Sequence, residues 1–567
     1  MNEKINKIIK IIMEIVSVVI IAIFAYSITP KTFQNDTYYT IKIGEHIQNN
    51  VNNISELLPW NKGLDMQDPF SFHEDLPYTY PHWLYDLATY QIYCINGFQS
   101  IYIATCVLSI ILGLSIYLVN KKLNGNTIVS FIITIASLYC LKGFIAARAQ
   151  LVTFILFILT IFGIEQFIKT KKIRYAIMLV IIPILIANLH CAVWPFYFVL
   201  YLPYIAEYLI YSIVTQDYNL LFRKISLKFK KKKLGKIQYD IEKNEIDKLK
   251  KIHEEKVEKR TSDTYKLRIS SEKSAKWLIL ILIICLFTGL LTPIKDVPYT
   301  YLTKTTQGNT TQNISEHLPL TLIKNTNVMT ILVLVLGILI FTRTKIRIRD
   351  FCMLIGLIFL SFMSQRQVSM LVLVGNFILV RMICELLDNI NKKYIKNDKI
   401  LYFCPLIFLI IALLVTTMSI KYYKEKSNDS YVDESSYPVQ ASSYLLDDLI
   451  PEVGIENLKL YNEYNYGSYL LYRGIPVFVD SRADLYTPEF NGEKDEDGDY
   501  VGRDIFTDFL DISGLSSSYE YEFEKYGITH VMTYSNSKLN ALVSKDSNYN
   551  LLYEDDSFVI YEREITN

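Results

Sequence analysis

Long apolar blocks separated by short polar connectors dominate the first three quarters of the chain. Mostly apolar runs recur at 8–29, 98–120, 127–146, 149–169, 173–190, 192–215, 277–293, 326–343, 350–365, 367–386 and 401–421. About 20 helical residues cross roughly 30 Å of hydrocarbon, so these runs predict an α-helical polytopic membrane protein with about 11 transmembrane helices. The pattern differs at 30–97. The stretch "QNDTYYTIKIGEHI" (34–47) has a helix-like period beside the first run, and an extended, proline-marked segment from Asp68 leads into an aromatic, amphipathic stretch that starts at Trp83. Helices of that kind lie in the interface, so two interfacial helices are expected to roof a cavity among the spans.

After residue 424 the blocks shorten. "NLKLYN", "IPVFVDSR" and "THVMTY" read as strands, "YGSYLLYR" and the stretches near 503–526 and 536–545 as helices, and "YNLLYEDDSFVIYE" as a hairpin turning at Asp555 and Asp556. That order predicts a C-terminal α/β domain over 424–567, following a transmembrane domain over 1–423. In such sheets ligands favour the carboxyl ends of strands, where Asp480, Arg482 and Asp484 fall. A plain internal ion pair between Asp480 and Arg482 fits the same residues.

Composition agrees with a membrane class: 567 residues are 51% hydrophobic. The first run also suits a signal peptide, but an uncleaved anchor is expected because ten further runs follow. The eight cysteines lie in or beside apolar runs without CxxC spacing and read as small core residues.

Charge sets the expected orientation. Residues 216–276 hold nineteen Lys/Arg against ten Asp/Glu, and the connectors at 120–126, 170–174, 342–350 and 391–399 are basic too. The positive-inside rule assigns them and the N-terminus to the cytoplasm. The loops 30–97 and 294–325 then face outward, as does the tail, which from residue 427 has nine basic and twenty-eight acidic residues. The basic loop lacks interleaved aromatics, so it reads as a partly helical or disordered connector facing lipid headgroups, with no nucleic-acid partner.

Polar residues at bilayer depth gather on that outer side: Asp36, Glu45, Asp68, His82, Arg148, Gln150, Asn188, His190, Glu316, His317 and Arg366. Apart from Glu14, no ionisable group is expected deep in the spans. Ionisable groups near hydrocarbon are costly, so a one-sided cluster suggests a functional site. Each has a structural reading as well: Asp36 suits a helix cap and Glu45 a pair with Lys42. Oxygen ligands from Asp36, Glu45 and Asp68 would suit Mg²⁺ or Mn²⁺, although their spacing does not require a metal. Walker, dinucleotide, GxSxG and HExxH patterns are missing, and "DEDGD" (495–499) has its glycine misplaced for a calcium loop.

In order along the chain, "DTYYTIKIGEHI", "DPFSF" with "HWLYD", "ARAQLVTF", "NLHCAVW", "ISEHLPL", "RQVSMLVL", "YNYGSYLLYRGIPVFVDSRADLY" and "YEDDSFVIYER" resemble bacterial multispan membrane proteins of the GT-C glycosyltransferase superfamily with an exported C-terminal domain. The resemblance implies transfer of a sugar from a polyprenyl-phosphate donor to a glycan or protein acceptor at the outer leaflet of the cell membrane. It implies Asp36 as general base or metal ligand, with Glu45 and Glu316 as further catalytic candidates. Arg148, His190 and Arg366 would hold the leaving phosphate, and Glu316 and His317 would complete the site. One outward cavity should then collect Asp36, Arg148, His190, Glu316 and Arg366 within roughly 15 Å. A transporter or flippase, expected to show paired charges at mid-membrane, and a non-catalytic envelope scaffold remain as alternatives.

Overall fold

The computed structural model describes residues 3–51, 53–59, 61, 64–215, 217–230, 236–262, 266–268, 273–321, 323, 325–394 and 399–564. Each apolar run falls on a helix or helix pair. These are α1 (Glu3–Ile28), then, after α2 (Asn35–Asn50), α3 (Trp83–Asn124), α4 (Thr127–Leu141), α5 (Ala149–Thr170), α6 (Ile173–Leu189), α7 (Trp194–Val199) and α8 (Leu202–Thr215). Beyond the basic helices α9 (Tyr218–Lys230) and α10 (Lys236–Ser262) come α11 (Lys276–Cys285), α12 (Val297–Gln307), α13 (Thr310–Asn313), α14 (Thr326–Phe341), α15 (Ile348–Met363), α16 (Val368–Tyr394) and α17 (Lys399–Ser427). Among the described residues seven helices are long and apolar enough to cross a membrane, and α6, α11 and α14 belong to shorter apolar helices. The protein is a multi-pass membrane protein with a helical bundle and a small mixed sheet.

Two of the expected elements merge. The amphipathic stretch from Trp83 and the following span form the single helix α3, broken at Asn96 and Gly97, where Gly97 takes a φ of 59°. This left-handed conformation suits glycine and lets an interfacial half continue into a crossing half. Glycine matters again at Gly44, where a Cβ would lie 2.2 Å from the Asp86 carbonyl oxygen. Its absence lets α2 lie directly on α3.

The C-terminal strands Leu460–Tyr461, His530–Tyr534, Phe558–Arg563 and Tyr549–Glu554 form one sheet in that spatial order, parallel at the first pair and antiparallel thereafter. The hairpin turns where expected: Asp555 accepts the N–H groups of Ser557 (2.8 Å) and Phe558 (2.7 Å). "IPVFVDSR" is extended but joins no ladder. The Asn462 amide takes the place of a strand neighbour, accepting from the Phe478 N–H (2.8 Å) and donating to the Val479 carbonyl (2.7 Å). One bridge links Val477 to Ser71.

That bridge belongs to a wider contact between the first outer loop and the tail. Residues of the 30–97 loop and of the tail share one hydrophobic core, distinct from the core of the bundle. Tyr38 packs edge-on against both Tyr437 and Tyr469. At the seam Arg482 binds Asp68 (2.5 Å) and Asp480 (2.6 Å), and Tyr486 donates to Asp480 (2.6 Å), all in the interior. Burial alone would raise the Asp68 pKa, but Arg482 and the Ser71 N–H hold it below the usual carboxylate range. Asp68, Asp480 and Arg482 thus form an internal ion cluster joining loop to tail.

The expectation that Glu14 alone is an ionisable group within the spans is overturned by Glu165 on α5, Glu207 on α8 and Arg381 on α16. Arg347 meets Asp350 (2.8 Å), Arg349 meets Glu165 (3.1 Å) and Glu207 (3.4 Å), and Arg381 meets Asp350 (2.5 Å) and Glu165 (3.3 Å). Glu165 lies seventeen residues along the chain from Arg148 on α5, about 25 Å of helix. The network therefore sits at the opposite end of the bundle. Each charge has partners from neighbouring helices, which offsets its desolvation.

Replacing Arg482 with Met leaves Asp68 and Asp480 buried without a counter-charge. We expect a loss of about 3–5 kcal/mol, measured as a lower thermal midpoint and faster proteolysis of the tail in membrane-reconstituted protein.

Candidate active site

Asp36 does not cap α2, which begins after Gln34. Its carboxylate lies in the first turn, where the helix dipole favours a negative charge, and reaches the Arg148 guanidinium at 3.0 Å. Arg148 stands at the N-cap position of α5 and also meets Glu316 at 3.4 Å. Burial disfavours its charge, but Asp36 and Glu316 outweigh this, so its pKa is raised. One guanidinium thus links three distant parts of the chain.

Backbone pairing fixes the third part. The Arg366 N–H donates to the Glu316 carbonyl (3.0 Å), the Gln365 N–H to Leu318 (2.9 Å) and the Leu320 N–H to Phe362 (3.3 Å). The loop bearing Glu316 and His317 therefore runs along the turn between α15 and α16. Among the described residues Arg366 makes no ion pair, yet it is half-buried and near enough to act electrostatically on His82, His190, His317 and Asp484.

Arg148 and Arg366 line one cleft of about 540 Å³ together with Gln34, Gln150, Glu316 and Gln365. Its remaining wall is apolar and includes Phe144, Leu318, Val328, Ile331, Val368 and Val372. A pocket of this size accepts a small polar headgroup with a hydrophobic attachment.

Behind the cleft, His82 Nδ1 pairs with both Asp86 oxygens at 2.9 and 3.0 Å, and its Nε2 meets the Tyr39 hydroxyl at 3.1 Å. Burial alone would lower the His82 pKa, but Asp86, its hydrogen bond and Asp36 raise it above the ordinary value. His190 lies with its ring centroid 6.2 Å from that of His82 and contacts the Thr153 hydroxyl at 3.1 Å. Neither Asp36 nor His190 is among the cleft-lining residues: Asp36 meets the cleft through its pair with Arg148, and His190 packs one layer deeper than expected.

Other expected residues lie elsewhere. Glu45 pairs with Lys42 at 2.8 Å, and Asn188 joins helices by accepting from the Trp83 indole (3.2 Å) and donating to the Leu291 carbonyl (3.0 Å). Asp68, Asp480 and Arg482 form the internal cluster. Asp36, Glu45 and Asp68 each face a different cation of the protein, so they do not make one oxygen ligand set. Among the described residues no group of three His, Cys, Asp or Glu side chains is arranged to hold a metal ion.

Asp86, Tyr301 and Thr310 were not among the expected site residues. Asp86 is four residues after His82, a helical spacing readable in the sequence. Asp484 accepts from the Tyr301 hydroxyl (2.5 Å) and from Thr310 (3.4 Å), tying α12 and α13 to the tail. No local signal pairs residues so far apart in the chain.

No family model and no curated protein matches the chain. Among solved structures, that of the Archaeoglobus fulgidus oligosaccharyltransferase, tethered with an acceptor peptide containing the NVT sequon, aligns with 97% of this chain and 74% of its own. The TM-score is 0.50 and the identity 11%. The likeness is one of fold, which is GT-C-like.

His317 supplies a pH test. Burial and the nearby Arg366 lower its pKa to about 4, against an opposing effect of Glu316. The docked loop holds the neutral ring, so this contribution is complete above about pH 6.5. It fades as pH falls towards the depressed value. Hydrogen exchange at 314–320, corrected for intrinsic rates, is expected to rise relative to neutral pH over that window, and His317→Gln to flatten the dependence.

Proposed function

We propose that the protein is a glycosyltransferase that moves a sugar from a polyprenyl-phosphate-linked donor to a glycan or protein acceptor on the extracytoplasmic face. The observation that carries this reading is Arg366: a half-buried guanidinium with no ion pair among the described residues, in the same cleft as the Asp36-paired Arg148. An unpaired cation beside a second arginine suits a phosphate, through charge-assisted hydrogen bonds. The apolar wall formed by Val328, Ile331, Val368 and Val372 suits a lipid attachment. The positive-inside asymmetry supports placing this side outward, with the N-terminus in the cytoplasm. Nucleotide sugars stay in the cytoplasm, which favours a lipid-linked donor.

In this mechanism Asp36 accepts the proton of the acceptor hydroxyl or amide. The acceptor heteroatom bonds to the anomeric carbon while the sugar–phosphate C–O bond breaks. The bonding pair leaves on the phosphate oxygen, where Arg366 and Arg148 stabilise the charge. Attack opposite the leaving group inverts the anomeric centre. Glu316 holds Arg148 in place from the other side, and His317 packs the loop. The peptide acceptor tethered in the archaeal neighbour makes a peptide one acceptor class to test first.

Transport has one observation in its favour, the buried network of three arginines and three acids at the far end of the bundle. Its charges balance and every member is paired, whereas the unpaired cation lies in the cleft at the other end. The transferase reading uses both the cleft and its apolar wall.

Purified protein in nanodiscs, given a panel of radiolabelled polyprenyl-phosphate sugars and peptide or glycan acceptors, should transfer sugar or release it slowly to water. Asp36→Asn should lower the rate by about 10²–10⁴-fold with normal insertion. Arg366→Gln should weaken use of the phosphate-linked donor. Sugar that crosses the bilayer still attached to its lipid, with none transferred or hydrolysed, points to the flippase instead.

A further inference from the structure

The basic connector 216–276 holds an ordered feature that the proposed site does not use. Helix α9 starts three residues after the end of α8, and α10 folds back on it. The His253 ring contacts the Thr215 carbonyl at 2.6 Å (Nε2) and the Asp217 carboxylate at 3.6 Å (Nδ1), so the hairpin is held where α8 ends. Along α9, Leu220 and Leu227 are buried, as is Ile246 of α10. At 100° per residue these two leucines share one face of α9.

The opposite face is apolar and uncovered. Phe222, Ile225 and Phe229 follow the i, i+3, i+7 spacing of one helical stripe, and Phe222 and Phe229 are 72% and 83% exposed. Arg223, Lys224 and Lys228 are all exposed; Lys228 lies roughly 90° round the helix from the centre of that stripe, and Arg223 and Lys224 roughly 130° away on either side, towards the leucines. A water-soluble helix has no reason to present two bare phenylalanines between bases. A headgroup layer explains both, with the rings in the acyl boundary and the bases at the phosphates.

We propose that α9 lies in the interface of an anionic leaflet on the side of the membrane opposite the candidate active site, inserting Phe222, Ile225 and Phe229 and setting Arg223, Lys224 and Lys228 against lipid phosphates. Two observations select a lipid surface over a protein partner. The stripe is continuous with a membrane span, since α9 begins where α8 ends, and bases lie round the helix on either side of it, as anionic headgroups on both sides of an inserted helix require. α10 then forms the outer layer of the hairpin, facing away from lipid.

The test uses the full chain in nanodiscs, with a polarity-sensitive fluorophore on Phe229→Cys in a Cys94→Ser background. In discs of phosphatidylcholine with phosphatidylglycerol, emission should shift to the blue and be quenched by brominated acyl chains. In phosphatidylcholine alone, or at high salt, both effects should weaken. Each of Arg223→Gln, Lys224→Gln and Lys228→Gln should lower the docked-to-undocked ratio about fivefold in the anionic discs, while Arg223→Lys should retain it. A label equally wet in both disc types, or equally buried in both, overturns the proposal. So does burial that appears only when a soluble protein is added. The outcome is independent of sugar transfer, which the Asp36→Asn assay reads separately.

Discussion

A half-buried guanidinium is stabilised by carboxylates that reach it where it stands, and Arg148 is met from two directions. Asp36 comes from α2 and Glu316 from a loop 168 residues beyond Arg148. Removing either carboxylate would leave that charge partly unmet, at a modest cost because all three side chains keep contact with solvent. The α2 start, the α5 start and the 314–320 loop are therefore held within reach of one side chain. The cleft follows from that constraint, because the turn carrying Arg366 is hydrogen-bonded to the same loop.

A second constraint acts above the bundle. The 30–97 loop and the tail bury their aromatic residues in one core and close it with Asp68, Arg482 and Asp480. The tail is thus part of the roof over the site. Asp484 strengthens the connection: burial raises its pKa, while hydrogen bonds from Tyr301 and Thr310 act in the other direction. Through that contact the tail holds α12 and α13, the approach to the loop carrying Glu316.

Helices were the most readable part of the chain, because a run of some twenty apolar residues has few other uses. All eleven runs found helices, and the Asp555–Asp556 hairpin turned where its polar pair required. Merging of the interfacial helix into α3 was harder to read, since Gly97 looks like an ordinary break until its φ is known. The strand expected at "IPVFVDSR" failed for a local reason: an asparagine side chain, Asn462, satisfied the backbone groups that a neighbouring strand would have met. For the site, Arg148, Gln150, Glu316 and Arg366 line one cleft, with Asp36 bound to Arg148. His190 lies deeper, Glu45 pairs locally, and Asp68 and Asn188 serve packing. The Lys42–Glu45 pair was readable from its i,i+3 spacing, whereas the roles of Asp68 and Asn188 depend on long-range partners, Arg482 and Leu291, which no local pattern reveals.

The buried network around Glu165 was hidden for a related reason. A hydropathy window tolerates one charge per span, and Glu165, Glu207 and Arg381 each lie inside a mostly apolar run, while Asp350 reads as the end of the basic connector 342–350. Only packing brings them together with Arg347 and Arg349. Midplane sites of transporters are typically built from discontinuous helices whose free ends face the cargo. Here Arg347, Arg349 and Asp350 stand at the start of α15 and Glu165, Glu207 and Arg381 project from α5, α8 and α16, but these charges answer one another and leave none for a cargo. Such a closed set ties four helices together at one end of the bundle. At the other end, Arg366 remains without an ion-pair partner among the described residues. The two ends use the same residue types differently: balanced charges join helices, and an unbalanced cation beside an apolar wall is free to meet an anionic ligand.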